Sequence, residues 1–291
     1  MKKDFDRQTD RQTDRQIPKL IHLFWFGKGD KSELIEKCIE SWKEYAPDYQ
    51  IIEWNESNFD VNFCERSKQA YDAEKWAFVA DIARLKVIYE MGGIYFDTDV
   101  QLTAPIDELL NETNGAATFF LFHNERFIGT GYGFGAIPES EVIKHLLKNY
   151  EAMKFELKRG IFAQVCTQIE TEALVEFYPQ FIRNNRNQTF EDGTVILSTN
   201  IWQRYLIHWG TGTWVDGGRE QVENVDEKVY KHMKLKTWLR NPKFFVNIHK
   251  VFGKKAEYIY EFLVYDLIDM GPIYYLRRII KKMIKRIIKR N

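Results

Sequence analysis

Four charged side chains between residues 81 and 99 have the types and spacing expected of a site for an anionic group. Asp81 and Arg84 are three residues apart, so on a helix they would share one face. Asp97 and Asp99 are two apart, so on a strand they would point to the same side. Paired carboxylates suit Mg²⁺ or Mn²⁺, and arginine makes charge-assisted hydrogen bonds to phosphate. The pattern therefore predicts a divalent cation that bridges a carboxylate and a nucleoside diphosphate.

The surrounding sequence predicts the elements that would position these residues. Apolar spacing favours a long helix over residues 70–91, ended by Gly92-Gly93, and then a strand over 94–100. On that strand Tyr95 would lie on the same side as the two aspartates. Strands alternating with helices are typical of an α/β sheet. Further strands are predicted over 19–26, 49–54, 116–122, 194–198 and 205–208, and helices over 32–45, with Ser32 as N-cap, and over 139–153.

The stretch ADIARLKVIYEMGGIYFDTDV, residues 80–100, resembles the core of glycosyltransferases with the DXD sugar-binding motif. That family includes yeast initiating mannosyltransferases and bacterial capsular-polysaccharide transferases, and the stretch is also similar to the clostridial glucosylating toxins. The segments IPKLIHLFWFGKG and ESWKEYAPDYQIIEWNE match the start of the family. The resemblance covers residues 17–110 strongly and is patchy to residue 214. It implies a GT-A fold, a nucleotide-sugar donor and retention of the anomeric configuration.

The resemblance also implies a role for each matched residue. Asp81 would contact the donor ribose and sugar, and Arg84 would reach the donor sugar and phosphate. Tyr95 would lie beside the donor. Asp97 would hold sugar and ribose hydroxyls, whereas Asp99 would be the direct metal ligand.

Two further regions carry residues that the resemblance places at the donor. Trp25 would stack on the nucleotide base. The stretch IHWGTGTWVDG resembles the family's closing motif, so that His208 would lie near the metal and pyrophosphate and Trp214 would close over the donor. Thr213 stands where the family more often has serine, which leaves the full ligand set open. From the residues alone, Trp25 could instead pack in the core and His208 could be a hydrogen-bonded histidine at a strand end.

The glycine-rich stretch IGTGYGFGAIP, residues 128–138, is not interpreted as a phosphate-binding loop, because it lacks a following lysine. We interpret residues 129–135 as a loop that forms a wall near the acceptor. His123, Asn124 and Glu125 could line the same pocket, whereas His22 is expected to be structural.

The two ends of the chain differ from its centre. Residues 1–16 are polar, contain a repeated Asp-Arg-Gln-Thr unit and are expected to be a disordered arm. The repeat fits a GACA tract in the gene, which resembles the tracts of phase-variable bacterial surface-polysaccharide genes. Eight of the 42 basic residues lie between Arg277 and Arg290, so the rest of the chain has 34 basic and 42 acidic residues. An acidic body argues against nucleic-acid binding.

The C-terminal region is expected to contact a membrane. Residues 226–270 are predicted to form a helical extension. Residues 271–291 are predicted to form an amphipathic basic helix that contacts an anionic membrane surface through 273–290. The sequence has no spanning apolar run and no secretory signal, and its three cysteines are far apart. We therefore expect a cytoplasmic protein, peripheral on the inner face of the bacterial cytoplasmic membrane.

The sequence thus predicts an α/β protein of GT-A type over residues 17–225, with a mixed central sheet flanked by helices. The expected reaction transfers a hexose or N-acetylhexosamine from a UDP-sugar to a saccharide, with retention and with Mn²⁺ or Mg²⁺ as cofactor. The saccharide would be lipid-linked, in lipopolysaccharide or capsule synthesis. Three alternatives remain open: a glycosyltransferase that modifies proteins, a metal-dependent phosphohydrolase, and a non-enzymatic membrane-binding module.

Overall fold

The computed structural model describes residues 16–124, 127–155 and 166–211 of the 291-residue chain. The arm apart from Gln16, Glu125, Trp214, the extension over 226–270 and the basic helix over 271–291 lie outside the described residues. Those expectations stay predictions, as does the domain boundary at residue 225. No helix of the described part is both long enough and apolar enough to cross a membrane.

The described residues form nine strands and seven helices. The strands are β1 (Leu20–Phe24), β2 (Gln50–Trp54), β3 (Gly93–Tyr95), β4 (Val100–Leu102), β5 (Thr118–Leu121), β6 (Phe134–Ala136), β7 (Gln188–Thr189), β8 (Thr194–Leu197) and β9 (Leu206–His208). The helices are α1 (Glu33–Tyr45), α2 (Glu65–Asp72), α3 (Trp76–Met91), α4 (Ile106–Asn111), α5 (Glu141–Ala152), α6 (Cys166–Phe177) and α7 (Thr199–Trp202).

Seven strands form one mixed sheet in the order β2-β1-β3-β6-β5-β8-β7. Strand β1 is parallel to β2 and β3, and β5 is parallel to β8. Strand β6 runs antiparallel to both of its neighbours, β3 and β5, and so joins the two parallel halves. Strands β4 and β9 form a separate antiparallel pair. The predicted α/β fold with a mixed central sheet flanked by helices is confirmed.

Each face of the sheet has its own hydrophobic core, because successive strand residues point to opposite faces. On one face, Phe120 and Ile196 pack with residues of α2, α3, α5 and α6. On the other face, Phe119 and Val195 pack with residues of α1, α4 and α7 and with the small β4–β9 sheet. Helices therefore cover both faces of the sheet, which leaves the ends of the strands as the places where polar side chains can gather.

Most of the predicted elements lie within two residues of their predicted ends, including α1 with Ser32 as its N-cap. The single helix predicted over residues 70–91 is wrong, because the structure has two helices, α2 and α3. Helix α2 ends in a Schellman arrangement: the amide of Lys75 donates to the carbonyl of Ala70 and that of Glu74 to Tyr71. Glu74 adopts a left-handed conformation with φ 56°. A new helix then begins at Trp76.

The single strand predicted over residues 94–100 is also wrong. Strand β3 ends at Tyr95, and the chain turns through the two aspartates before β4 begins at Val100. The amide of Val100 donates to the carbonyl of Asp97 at 3.0 Å, which closes the turn. As a result β3 belongs to the large sheet and β4 to the small one. The aspartates lie where the chain passes from one sheet to the other.

Candidate functional site

Helix α3 supplies the first two residues of the site. Nη2 of Arg84 lies 2.9 Å from Oδ1 of Asp81, so the predicted shared face is confirmed. The side chains of Arg84 and Asp81 are 2% and 13% exposed, so this ion pair is largely shielded from water. Gly92 ends the helix with φ 65°, and its amide donates to the carbonyl of Ile88. The chain then enters β3 directly, which brings Tyr95 and Asp97 back beside the helix.

Asp97 is held by contacts from three directions. Its Oδ1 accepts a hydrogen bond from the hydroxyl of Tyr95 and lies 3.5 Å from Nη1 of Arg84. Its amide donates to the carbonyl of Gly131 at 3.0 Å. A Cβ at position 131 would lie 2.3 Å from Oδ2 of Asp97. The carboxylate therefore has its observed place only because residue 131 is a glycine.

Asp99 meets His208 because β4 pairs with β9. Val100 lies opposite His208 in the register of the two strands, and the amide of Trp209 donates to the carbonyl of Asp99. Nε2 of His208 is 3.3 Å from Oδ1 of Asp99 and 3.8 Å from Oδ2 of Asp97. The other oxygen of Asp99 accepts two hydrogen bonds, each of 2.8 Å, from the amide and hydroxyl of Thr211.

These three side chains form a group that could hold a metal ion. One ligand atom from each of Asp97, Asp99 and His208 lies within 4.8 Å of the others. Two carboxylate oxygens and one imidazole nitrogen are ligands that a divalent cation accepts. Asp97 is one-third exposed, so the group is open to an incoming ligand on that side. The donor set therefore fits the divalent ion that the sequence predicts.

Opposite charges fix the protonation of this group when no metal is bound. Burial by itself would lower the pKa of His208, but the neighbouring carboxylates of Asp99 and Asp97 outweigh it and raise the pKa to about 10. Burial would raise the pKa of Asp99, but the charge of His208 and the hydrogen bonds from Thr211 lower it well below its usual value. At neutral pH the two side chains form an imidazolium–carboxylate pair.

Residues 32–116 match the protein family described as the glycosyltransferase sugar-binding region containing the DXD motif. This stretch of the chain is similar to that family. It contains Asp81, Arg84, Tyr95 and the Asp97-x-Asp99 motif, so the resemblance predicted from the sequence is confirmed. The family also implies a nucleotide sugar and a divalent metal, in agreement with the acidic group described above.

Two curated relatives of the sugar-binding region are enzymes of Schizosaccharomyces pombe. Inositol phosphoceramide mannosyltransferase 3 is 28% identical over 106 residues, which are 33% of this chain and 28% of the relative. Inositol phosphoceramide mannosyltransferase 1 is 26% identical over 145 residues, 46% of this chain and 42% of the relative. The chain thus spans less than half the length of these relatives.

Two solved structures are also similar. The PaToxG glycosyltransferase is 17% identical with a TM-score of 0.44, and the match covers 61% of this chain and 77% of the other. A glycosyltransferase involved in the glycosylation of the major capsid of PBCV-1 is 15% identical with a TM-score of 0.37. That match covers 74% of this chain and 99% of the other.

Arg84 of the sugar-binding region contacts a second buried acid, which the sequence analysis missed. Glu170 on α6 is fully buried, and its Oε1 lies 3.1 Å from Nη2 of Arg84. Thr130, from the glycine-rich loop, accepts from Nη2 of Arg84 at 2.6 Å and donates to Oε2 of Glu170. A sequence signal existed, since Glu170 shares a helical stripe with Ala173 and Leu174 and therefore faces the core.

Burial governs the protonation of the acids around Arg84. It raises the pKa of Asp81 to about 7, with Arg84 opposing the shift and Glu170 adding to it. Burial also raises the pKa of Glu170, although Arg84 and Thr130 act in the opposite direction. Around neutral pH the pair of acids is therefore easier to protonate than carboxylates in water.

The structure also locates the remaining predicted residues. Trp25 follows β1 and lies at the same sheet edge as Asp97, since β1 and β3 are neighbouring parallel strands. It is half-buried, and its Nε1 donates to the carbonyl of Gly29. His22 is fully buried and bridges the carbonyl of Gly92 and Nε1 of Trp54, which agrees with a structural role.

His123 lies beside the glycine-rich loop. Its Nδ1 contacts the hydroxyl of Tyr132, whose ring packs on His208 with centroids 4.3 Å apart. The loop predicted over residues 129–135 is shorter than expected, because β6 begins at Phe134. Thr130, Gly131 and Tyr132 all contact residues of the site, so this loop forms one of its walls.

Proposed function

We propose that this protein is a metal-dependent glycosyltransferase that moves a hexose or N-acetylhexosamine from a UDP-sugar to a hydroxyl of a saccharide. One observation carries the proposal. Asp97, Asp99 and His208 converge within 4.8 Å, next to Arg84. The Asp-x-Asp pair and Arg84 lie in a stretch that matches the sugar-binding region. A carboxylate-rich metal site beside a guanidinium suits a donor that is itself a diphosphate.

Several residues of the site would bind the donor, each at a different part of it. Asp97, Asp99 and His208 would hold the divalent ion, which when bound neutralises the departing diphosphate. Arg84 would bind the donor phosphate and sugar through its Nη1 edge, which faces Asp97. Asp97 and Asp81 would accept hydrogen bonds from donor hydroxyls, and Trp25 would stack on the base. Trp214 would close over the donor, as the resemblance implies.

We propose that the reaction retains the anomeric configuration by attack on the front face. The carboxylates of Asp81, Asp97, Asp99 and Glu170 each already accept an ion pair or hydrogen bonds from a neighbouring side chain. Because Asp97 and Asp99 would hold the metal ion and Asp81 and Glu170 pair with Arg84, we assign none of these carboxylates as a nucleophile. The acceptor oxygen would bond to the anomeric carbon as the bond to the diphosphate breaks. The departing diphosphate would keep that electron pair and take the acceptor's proton.

The biological setting is proposed from the sequence and the relatives. We propose that the acceptor is a lipid-linked saccharide of bacterial lipopolysaccharide or capsule synthesis, met at the inner face of the cytoplasmic membrane. The basic helix predicted over residues 271–291 supports a membrane contact. Both curated relatives are named inositol phosphoceramide mannosyltransferases. The donors tested should therefore include a mannose donor.

The decisive experiment measures nucleotide release. The purified full chain is incubated with a panel of UDP-sugars and with GDP-mannose, in Mn²⁺ or with a chelator, and with and without saccharide acceptors. We expect turnover with one donor, loss of turnover with the chelator, and stimulation by an acceptor. The variant Asp99→Asn should lower kcat/KM by about 100- to 1,000-fold because it weakens a charge that stabilises the transition state.

The matched control is Asp48→Asn, since the side chain of Asp48 is 76% exposed and pairs with Lys19 on the surface. It should leave kcat/KM unchanged. Turnover that survives the chelator, or an Asp99→Asn variant as active as the control, would reject the proposal. Donor hydrolysis that no acceptor stimulates would favour a phosphohydrolase instead.

A further inference from the structure

Glu170 is a buried acid that the proposed chemistry does not use. Its side chain has no exposure to solvent, yet both of its oxygens are engaged. Oε1 accepts from Nη2 of Arg84 at 3.1 Å and from the hydroxyl of Tyr150 at 3.2 Å, and Oε2 accepts from the hydroxyl of Thr130. Four elements therefore meet at this carboxylate: α3, α5, α6 and the glycine-rich loop.

Stability alone does not account for this second acid. Arg84 already has a carboxylate partner in Asp81 at 2.9 Å, so one buried guanidinium faces two buried acids. Removing a charged group from water costs several kcal/mol in proteins, and its partner must offset that cost. Arg84 therefore shares one positive charge between two carboxylates, although the buried Arg66 also acts on Asp81. Burying the second acid therefore costs folding free energy that Arg84 does not fully offset, which suggests that Glu170 has another role.

The geometry around Arg84 indicates that role. The nitrogen Nη2 is fixed by three partners, Asp81, Glu170 and Thr130. The nitrogen Nη1 lies 3.5 Å from Oδ1 of Asp97, on the side of the metal-binding group. Arg84 is thus anchored by one nitrogen and presents the other to the donor side. Because the guanidinium is planar and rigid, fixing Nη2 also fixes the place of Nη1.

Glu170 also acts on Asp97 through the loop. It accepts the hydroxyl hydrogen of Thr130, and the next residue, Gly131, accepts the amide hydrogen of Asp97. The same carboxylate therefore sets the two elements that flank Asp97: the guanidinium on one side and the loop backbone on the other. A shift of Glu170 would move both of them relative to the metal-binding group.

We propose that Glu170 is a positioning residue that holds Arg84 and the Thr130–Gly131 backbone against Asp97, so that the donor diphosphate binds in its reactive arrangement. This inference rests on the proposed glycosyltransferase activity. It extends the site to α6, which lies outside the stretch that matches the sugar-binding family.

The test substitutes Glu170→Gln, which keeps the shape and removes the charge. Misplacing a positioned group by about 1 Å costs on the order of 100-fold in rate, so we expect kcat to fall by about 10- to 100-fold. The donor KM should rise by a smaller factor, about threefold, because most direct donor contacts remain and Arg84 alone is displaced. The matched control is Glu172→Gln on the same helix, an exposed side chain that bonds only to Gln168 in the described structure. That control should keep its full kcat.

A double-mutant cycle separates positioning from a purely structural role. If Glu170 acts through Arg84, then adding Glu170→Gln to Arg84→Lys should have less effect than adding it to the wild type. Independent losses that simply multiply would overturn the proposal. Should Glu170→Gln fail to fold, Thr130→Val breaks the same link with nearly the same volume and should lower kcat in the same way.

Titration calorimetry of UDP binding in the presence of Mn²⁺ tests the role of Glu170 independently of the proposed glycosyltransferase activity. If the wild type turns over no donor, the proposed activity fails. Even then, Glu170→Gln should lower the measured affinity for UDP with Mn²⁺ relative to Glu172→Gln, through the displaced Arg84. Equal affinities, or equal kcat values where turnover is seen, would reject the positioning role.

Discussion

At the scale of single residues, the candidate metal site depends on whether His208 is protonated. Without metal, His208 is an imidazolium held between Asp99 and Asp97, so a cation already occupies the place between the carboxylates. A metal ion must replace that positive charge, since a ligating imidazole is neutral. Metal binding should therefore compete with protonation of His208.

The first prediction at this scale concerns pH and metal affinity. Because the pKa of His208 is raised to about 10, Mn²⁺ binding at neutral pH should release about one proton. The measured affinity should then rise by about tenfold per pH unit between roughly pH 6.5 and 8. Titration calorimetry in two buffers of different ionisation enthalpy measures the proton directly. The variant His208→Gln should abolish the proton release.

The control for that experiment is His145→Gln, because His145 lies 3.9 Å from Glu176, away from the metal-binding group. It should keep the pH slope of the wild type. An affinity that does not change with pH, or a full pH slope in His208→Gln, would show that His208 does not release a proton when the metal binds.

The raised pKa of His208 also makes the free energy of unfolding depend on pH. The pKa of folded His208 lies above its ordinary value of 6.5, so its stabilising effect is complete below about pH 6.5 and is lost as the pH rises through 10.

At the scale of elements, the junction of α3 and β3 decides the geometry of the site. The helix carries Asp81 and Arg84, the strand leads to Asp97, and two glycines join them. Gly93 has φ 101° and lies against β1, where a Cβ would be 2.8 Å from Nε2 of His22 and 2.9 Å from the carbonyl of Leu20. Strand β3 can lie this close to β1 only because residue 93 has no side chain.

The prediction at this scale is that Gly93→Ala destabilises the protein by about 2–4 kcal/mol. The left-handed backbone accounts for about 1–2 kcal/mol of that and the overpacking against β1 for the rest. Thermal unfolding followed by circular dichroism should show a Tm lowered by roughly 5–15 °C.

Gly115→Ala is the matched control, since Gly115 also has a left-handed φ of 75° but nothing within 4 Å of the added Cβ. It should cost only about 1 kcal/mol. Equal Tm values for the two variants would mean that the close approach of β3 to β1 carries no energetic weight.

At the scale of the whole molecule, charge is distributed unevenly along the chain. The eight basic residues between Arg277 and Arg290 are offset by an acidic remainder with 34 basic and 42 acidic residues. Repulsion between an acidic body and an anionic bilayer would disfavour general adsorption and leave the C-terminal segment as the contact. This arrangement would bring an enzyme to a lipid-linked acceptor without embedding it.

The prediction at this scale concerns vesicles that contain phosphatidylglycerol. Replacing Lys281, Lys282, Lys285 and Arg286 together by glutamine should weaken binding by up to about 1,000-fold, since each basic residue contributes about 1 kcal/mol at such a surface. Co-sedimentation with vesicles measures it. Donor hydrolysis in solution should be unchanged.

A control with four lysines of the described surface replaced by glutamine removes the same charge elsewhere. Lys19, Lys37, Lys68 and Lys86 suit it, because each pairs with an acid on the surface. Binding should stay near the wild-type value. Equal losses in both variants would mean that net charge, and not the C-terminal segment, sets membrane affinity.

The sequence by itself determined the local pieces and the chemistry that they allow. The spacing of apolar residues located most strands and helices, because the buried face of an element has apolar residues at regular intervals along the sequence. The spacing of Asp81 and Arg84 placed both on one helical face, and the Asp97-x-Asp99 motif indicated a candidate metal site. These features are local, and local geometry follows from neighbouring residues.

The tertiary structure decided which residues that are distant in the sequence lie together in the site. No local pattern places His208 opposite Val100, because that pairing depends on the chain leaving the large sheet at the aspartates. The predicted strand over 94–100 failed for the same reason: its side-chain alternation fits a strand, but hydrogen bonds to Gly131 and from Val100 turn the backbone there. Glu170 reached Arg84 across 86 residues of sequence, through the packing of helices on one face of the sheet. A buried charge of this kind depends on a partner that is distant in the sequence, so the residues on either side of Glu170 do not predict it.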